Sequence, residues 1–168
     1  MSDVDVFTLL KDDHRKVEQL FEQFEQTGDY AVALQICEEL TLHATVEEEL
    51  VYGLYRSNVD SDSGDEARQE HQHAKDIIAR IEALGPEGDG LAEVVQELKV
   101  AVEHHVQEEE NEMFPRMAEA IPETVSLLGD DILFRKAQLQ ELRATDRAGG
   151  ISATGTGQRP NASTAPGY

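Results

Sequence analysis

The chain has 168 residues, of which 39% are hydrophobic and 29% charged, and 35 acidic against 14 basic side chains give a formal net charge of −21. One soluble globular domain with one core is expected at this length and composition. The acidic balance excludes nucleic acid and anionic membranes as expected partners, because displacing counterions from phosphates needs Lys and Arg on the protein.

The opening MSDVDVFTLL carries acids where a secretory signal needs basic residues. A helix is predicted from about Asp5 to Gln26, with Leu10, Val17, Phe21 and Phe24 on one face, broken at Gly28 and Asp29. A second is predicted from Tyr30 to Arg56, aligning Ile36, Leu40, Leu50 and Leu54. It contains the single cysteine, Cys37, which reads as a core residue. One cysteine permits no internal disulfide, cysteine zinc site or iron–sulfur cluster. The polar stretch SNVDSDSGD follows as a loop, and Ser63 with Glu66 forms a capping box for a third helix bearing Ala67, Ala74, Ile78 and Ile81. GPEGDG breaks the chain before a fourth helix, Leu91 to Phe114, which Pro115 ends or kinks.

Beyond Pro122 a shorter amphipathic segment with Leu128, Ile132, Leu139 and Leu142 predicts a fifth helix; Gly129 is where it would be interrupted. From Ala144 the composition of Gly, Ser, Thr, Ala and Pro predicts a disordered tail. No segment alternates like a strand, and no apolar run approaches the roughly 20 residues of a membrane span. The expectation is an all-α protein: an antiparallel up-down four-helix bundle over residues 1–118, an appended helical segment over 119–143 and a tail over 144–168, located in the cytoplasm.

Helical spacing sorts the six histidines. Steps of three and four place His14 with Leu10, Val17 and Phe21, His43 and Glu47 with Leu40 and Leu50, and His71 with Ala67, Ala74 and Ile78. His73 faces out. On the fourth helix Leu98, Val102, His105, Glu109 and Met113 share the stripe, so His105 and Glu109 face the core, whereas His104 lies with Glu97 and Glu108 on the solvated side. A lone inward histidine is ordinarily a hydrogen-bonded core residue, and a lone His-x-x-x-Glu a surface pair. Four histidines and two carboxylates converging in one core are different, because two unpaired buried carboxylates repel and are costly to desolvate. A bound cation removes that cost.

The motif order is lone His14, His43-x-x-x-Glu47, lone His71, His105-x-x-x-Glu109, one helical hairpin repeated, with an acid (Asp13, Glu70) before each lone histidine. Such two-fold order suggests two metals, each with two histidines and both sharing the glutamates. Imidazole and carboxylate suit iron, manganese and zinc, and a structural zinc site closes at four ligands, so six inward groups fit a dinuclear centre better. Ferritin-like bundles use Glu-x-x-His motifs with lone glutamates; here the order of the inward pairs is reversed, their spacing is four and histidine dominates, which excludes that pattern.

The segments KDDH (11–14), LHATVEEELVY (42–52), QEH (69–71) and HVQEEENEMFP (105–115) resemble hemerythrin-like proteins, or HHE cation-binding domains, over roughly residues 5 to 118. The resemblance implies a non-haem di-iron centre with an oxo or hydroxo bridge inside a four-helix bundle. It implies His14, His43, Glu47, His71, His105 and Glu109 as iron ligands, with Glu47 and Glu109 bridging. Two departures stand against oxygen carriage. Lys75 occupies the position where oxygen-carrying members have a second third-helix histidine, and Glu109 follows its histidine by four residues rather than five. Open metal positions would admit oxygen, hydrogen peroxide or nitric oxide, so a di-iron protein that binds and reacts with these small oxidants is the leading expectation; processing of peroxide or nitric oxide would be its enzymatic form, with an electron-donor protein as partner. An oxygen, redox or iron sensor and an oxygen-binding protein without turnover are the alternatives. Tyr52 and Tyr55, on the side of Glu48, are candidate substitute ligands or pocket residues, although bundle-end packing is the simpler role for Tyr55.

Overall fold

A computed structural model describes residues 5–151 of the chain. In order it contains α1 (Val6–Thr27), α2 (Tyr30–Leu50), α3 (Tyr52–Asn58), α4 (Ser61–Leu84), α5 (Leu91–Glu108), a π turn (Glu109–Met113), α6 (Phe114–Ala120) and α7 (Pro122–Ile151). The described residues contain no strand. α3 continues α2, and the π turn and α6 continue α5, so with α1 and α4 they form four long antiparallel rods. α7 lies outside that bundle against α1 and α2.

Local chemistry sets the ends. Asp5, Asp29 and Asp60 each turn a carboxylate onto the free N–H groups at the start of α1, α2 and α4. Gly28 closes α1 at φ 63°, a left-handed conformation that costs a residue without Cβ nothing.

The apolar stripes meet in two clusters. One gathers Val6, Leu10, Tyr52, Phe114, Met117 and Ile132 at one end of the bundle. The other gathers Val17, Phe21, Ile36, Ile81, Val95 and Leu98, together with the buried Cys37, at the other end. Each rod crosses from one cluster to the other at the same level, and at that level each carries a histidine: His14, His43, His71 and His105. The core is therefore cut by one polar layer, and that layer is the site.

Five boundaries differ from the sequence expectation. α4 begins at Ser61, not at Ser63, because the Asp60 carboxylate accepts from Asp62 N (3.0 Å) and Ser63 N (3.2 Å) and is braced by Arg116 (3.2 Å). The polar loop thus shrinks to Val59 and Asp60. The second rod is not one unbroken helix, since Val51 (φ −104°, ψ −55°) interrupts it while keeping its bonds to Glu47 O and from Tyr55 N. Pro115 does not end the fourth rod. The π turn immediately before it widens the backbone, so the ring falls in the first turn of α6, where a missing N–H is tolerated. α7 runs without interruption past Gly129 and on to Ile151, into the stretch expected to be tail; Arg143 donates to Glu38 O (2.5 Å) and Arg147 pairs with the Glu38 carboxylate, which ties this end to α2. The rest of the expected tail, residues 152–168, lies outside the described residues.

Candidate metal centre

All six inward groups that the stripe positions select are buried: His14, His43, His71 and His105 are 5–7% exposed, and Glu47 and Glu109 are fully enclosed. They meet as two overlapping sets. One is His14, His43, Glu47 and Glu109; the other is His71, His105, Glu47 and Glu109; within each set the candidate ligand atoms lie within 4.8 Å of one another. Both sets contain both carboxylates, an arrangement in which two ions would share them. His73 and His104 face solvent.

The imidazoles approach in pairs, Nε2 to Nε2: His14 and His43 at 3.0 Å, His71 and His105 at 2.9 Å. Two nitrogens held at right angles by one ion at about 2.1 Å would stand about 3.0 Å apart, so each pair has ligand spacing. The glutamates reach the same nitrogens, Glu47 Oε2 at 3.2 Å from His43 and 3.5 Å from His71, and Glu109 at 3.4 Å from His14 and 3.3 Å from His105. Glu47 Oε1 and Glu109 Oε2 accept no hydrogen bond although fully buried, and such acceptors are rare without an ion or water.

Electrostatics follow from this crowding. Burial alone would pull the His43 imidazole down, but the charge of Glu47 and a hydrogen bond to Asp13 push it up to about 10. His105 is likewise driven well above the usual histidine range, against burial, by Glu109. Glu109 is held well below the carboxylate range by His105 and His14, although burial opposes it. In the metal-free chain, the protons held on His43 and His105 supply positive charge where cations would stand.

The outer nitrogens are bound in a ring. His43 Nδ1 donates to Asp13 (3.2 Å), His71 Nδ1 to Glu48 (3.1 Å), His105 Nδ1 to Glu70 (2.7 Å) and His14 Nδ1 to Glu110 (2.8 Å). Each acid sits on the rod before that of its histidine, so the chain of contacts passes from the first rod to the second, third and fourth and back to the first. A carboxylate on Nδ1 fixes the tautomer that leaves Nε2 free for a metal and raises its basicity. The sequence marks Asp13 and Glu70 as neighbours of the lone histidines; the structure gives each to the histidine of the neighbouring rod instead. Glu110 falls in a glutamate block that reads as surface. The signal that could find it is its symmetry with Glu48: each directly follows an inward glutamate.

Tyr52 is the main addition to the inward set. Its hydroxyl donates to Glu109 Oε1 (2.7 Å) and lies 2.9 Å from His71 Nε2, 3.0 Å from His105 Nε2 and 3.4 Å from Glu47 Oε2. Burial and the two glutamates raise its pKa well above that of an ordinary phenol. Tyr55 is buried at the bundle end, where its hydroxyl accepts from Arg116 (3.1 Å), away from the centre. Lys75 points at Glu48 (2.7 and 2.8 Å), not at the histidines, and Glu48 is brought down to about 2 by the His71 hydrogen bond and Lys75, against burial. The hydroxyl that stands beside His71 and His105 is thus Tyr52's, from the second rod, and not a group of the third.

The hemerythrin HHE cation-binding domain matches residues 5–117 and again residues 63–156. A DNA nickase of Nostoc sp. is 30% identical over 116 residues, 67% of this chain and 33% of that protein. An uncharacterized hemerythrin-like protein of Schizosaccharomyces pombe is 25% identical over 122 residues, 68% of this chain and 60% of that protein. The chain thus spans less than two thirds of either relative, and no solved structure matches it significantly. With a family match across all four rods and His/Glu clusters that could bind a metal, the chain belongs to the hemerythrin HHE cation-binding domain family.

Proposed function

We propose that the chain is a non-haem di-iron protein that binds and reacts with small oxidants: oxygen, hydrogen peroxide or nitric oxide. The observation that carries this reading is the pair of buried carboxylate oxygens without a hydrogen bond, on Glu47 and Glu109, where four imidazoles converge. His14 and His43 would hold one ion, His71 and His105 with the Tyr52 oxygen the other, and Glu47 and Glu109 would serve both. Iron in such a donor set supplies redox chemistry toward these small molecules. Against two ferrous ions, two bridging carboxylates and one phenolate would leave about one net positive charge, close to the neutrality that burial favours.

The protein shapes access. On the side away from Tyr52, a cavity of about 40 Å³ adjoins all four histidines and is walled by Val17, Leu40, Ala74, Ile78, Ala101 and Val102. A water needs about 10–15 Å³ on this measure, so the space suits molecules of two or three heavy atoms. Lys75 and Asp13 line the same cavity and could exchange protons with its contents. Electrons for turnover would come from a donor protein. Nucleic acid has no part in this reading, because the nickase likeness spans a third of that protein and a charge of −21 repels phosphate.

Metal analysis with visible absorption of protein expressed with iron tests the reading. Close to two iron per chain, with near-ultraviolet absorption from a bridged ferric pair, is the expected result; one zinc or no metal would exclude it.

A further inference from the structure

Each acid of the ring around the histidines needs a counter-charge of its own, because it is partly buried. Three have one. Glu110 is gripped by Arg15 (2.5 and 2.7 Å) and Glu48 by Lys75, both from bundle helices. Asp13 is gripped by Lys136 Nζ at 2.5 Å, and Lys136 belongs to α7, outside the bundle. Both partners of that pair are only 17% exposed. Asp13 spends its second oxygen on His43 Nδ1. A continuous path therefore runs from an outer helix through one carboxylate to a candidate ligand.

α7 is built to keep that contact. Val125, Leu128 and Ile132 anchor its first half in the apolar cluster beneath the site. Arg135 makes a two-pronged pair with Glu49 (2.6 and 2.9 Å), one residue before Lys136. Arg143 and Arg147 bind Glu38 further along. Four of the chain's 14 basic residues thus hold one helix to α1 and α2, and one of them alone reaches the ring of acids.

We propose that α7 is a clamp on the metal centre, with Lys136 as a positioning residue: it fixes the Asp13 carboxylate, which fixes the His43 imidazole, so that docking of α7 sets how firmly the His14/His43 position keeps its ion. This rests on the dinuclear reading above. The effect is one-sided, since the His71/His105 position takes its support from Glu48 and Glu70, whose hydrogen bonds and ion pairs among the described residues do not reach α7.

The test is release of bound Co(II) from the full-length chain to a chelator, followed by the visible bands of the ion, in the unmodified protein and in the variants Lys136→Met, Lys136→Arg and Arg135→Met. Removing a group that orients a ligand lowers metal affinity by about 10–100-fold. Lys136→Met should therefore speed release of one equivalent by about 10-fold or more and leave the second unchanged. Lys136→Arg should largely restore it. Arg135→Met, which removes a more exposed pair on α7 and leaves the Lys136–Asp13 contact in place, should speed release of that equivalent clearly less than Lys136→Met does. Unaltered release in Lys136→Met, or equal acceleration in Lys136→Met and Arg135→Met, would overturn the clamp while leaving the centre in place. An unmodified chain that takes up no second Co(II) would overturn the dinuclear reading and the clamp together. Circular dichroism melts of each variant separate loosened docking of α7 from loss of the fold.

Discussion

The Tyr52 hydroxyl stands 3.0 Å from His105 Nε2 and 2.9 Å from His71 Nε2, although Tyr52 lies off the apolar stripe of its own helix. Five residues past Glu47 is about 140° round an ideal helix from it. The interruption at Val51 and the length of the phenol side chain carry its oxygen back to the centre.

Tyr52→Phe should keep the fold and change the centre. The variant strips Glu109 Oε1 of a 2.7 Å donor and leaves it only His105 Nε2 at 3.3 Å, and loss of a hydrogen bond to a buried charged group costs about 1–3 kcal/mol. Metal-free protein should lose stability on that scale. Iron-loaded protein should lose any phenolate-to-iron band in the visible and bind its second equivalent more weakly. Unchanged colour and unchanged stoichiometry would remove Tyr52 from the ligand set.

His105→Ala and His104→Ala should diverge. The two side chains are neighbours in sequence, yet one is 7% exposed in the centre and the other points to solvent beside Glu70 and Glu108. The first substitution should cost at least one of two metal equivalents; the second should cost none. Equal losses by metal analysis would mean that the inward face is wrongly assigned.

The face assignment shows what was legible in the sequence. His14, His43, Glu47, His71, His105 and Glu109 follow from periodicity, because a helix forces residues three and four apart onto one side. Glu110 and Tyr52 do not, because each departs from ideal periodicity: one sits in the π turn, the other just beyond the break at Val51. The helical continuation to Ile151 was hidden for another reason. It is held by pairs between distant residues, Arg143 and Arg147 with Glu38, which no local composition records.

Stability of the metal-free protein should fall as pH rises. His43 moves from an ordinary 6.5 to about 10 in the folded chain, and His105 moves in the same direction. A raised folded value contributes stability that is complete below about 6.5 and is lost as pH climbs through about 10. Glu109 is depressed below 4.5, so its contribution is present above that value and lost on acidification. Urea titrations should therefore find the metal-free optimum between roughly 4.5 and 6.5. Metal affinity should rise over the alkaline interval, because binding expels those protons. Flat metal-free stability from pH 6.5 to 10 would contradict the charge state assigned to the imidazoles.

Loading with metal should raise the unfolding free energy by mass action, about 2.7 kcal/mol when free metal is 100-fold above its dissociation constant. Thermal melts of metal-free and iron-loaded protein check this. Coincident midpoints would place the ion outside the core.

Lys75→His alone should not create an oxygen carrier. Lys75 is turned to Glu48, and the Tyr52 hydroxyl already stands between His71 and His105. The double variant Tyr52→Phe, Lys75→His is the one expected to slow autoxidation of the reduced protein. Stopped-flow mixing with oxygen decides it; a long-lived adduct in the unmodified chain would restore oxygen carriage as the first reading.

The ring of Asp13, Glu48, Glu70 and Glu110 has no free end. Each histidine is braced from a different rod, so no two-helix hairpin of this chain can assemble a fully braced pair by itself. His14 and His43 share the first hairpin, but the brace for His14 arrives only with the π turn, 96 residues later in the chain. An ion met early in folding would find nitrogens still free to turn. The last seam of the bundle to close is therefore also the step that locks the ligands, which ties the timing of metal capture to completion of the fold.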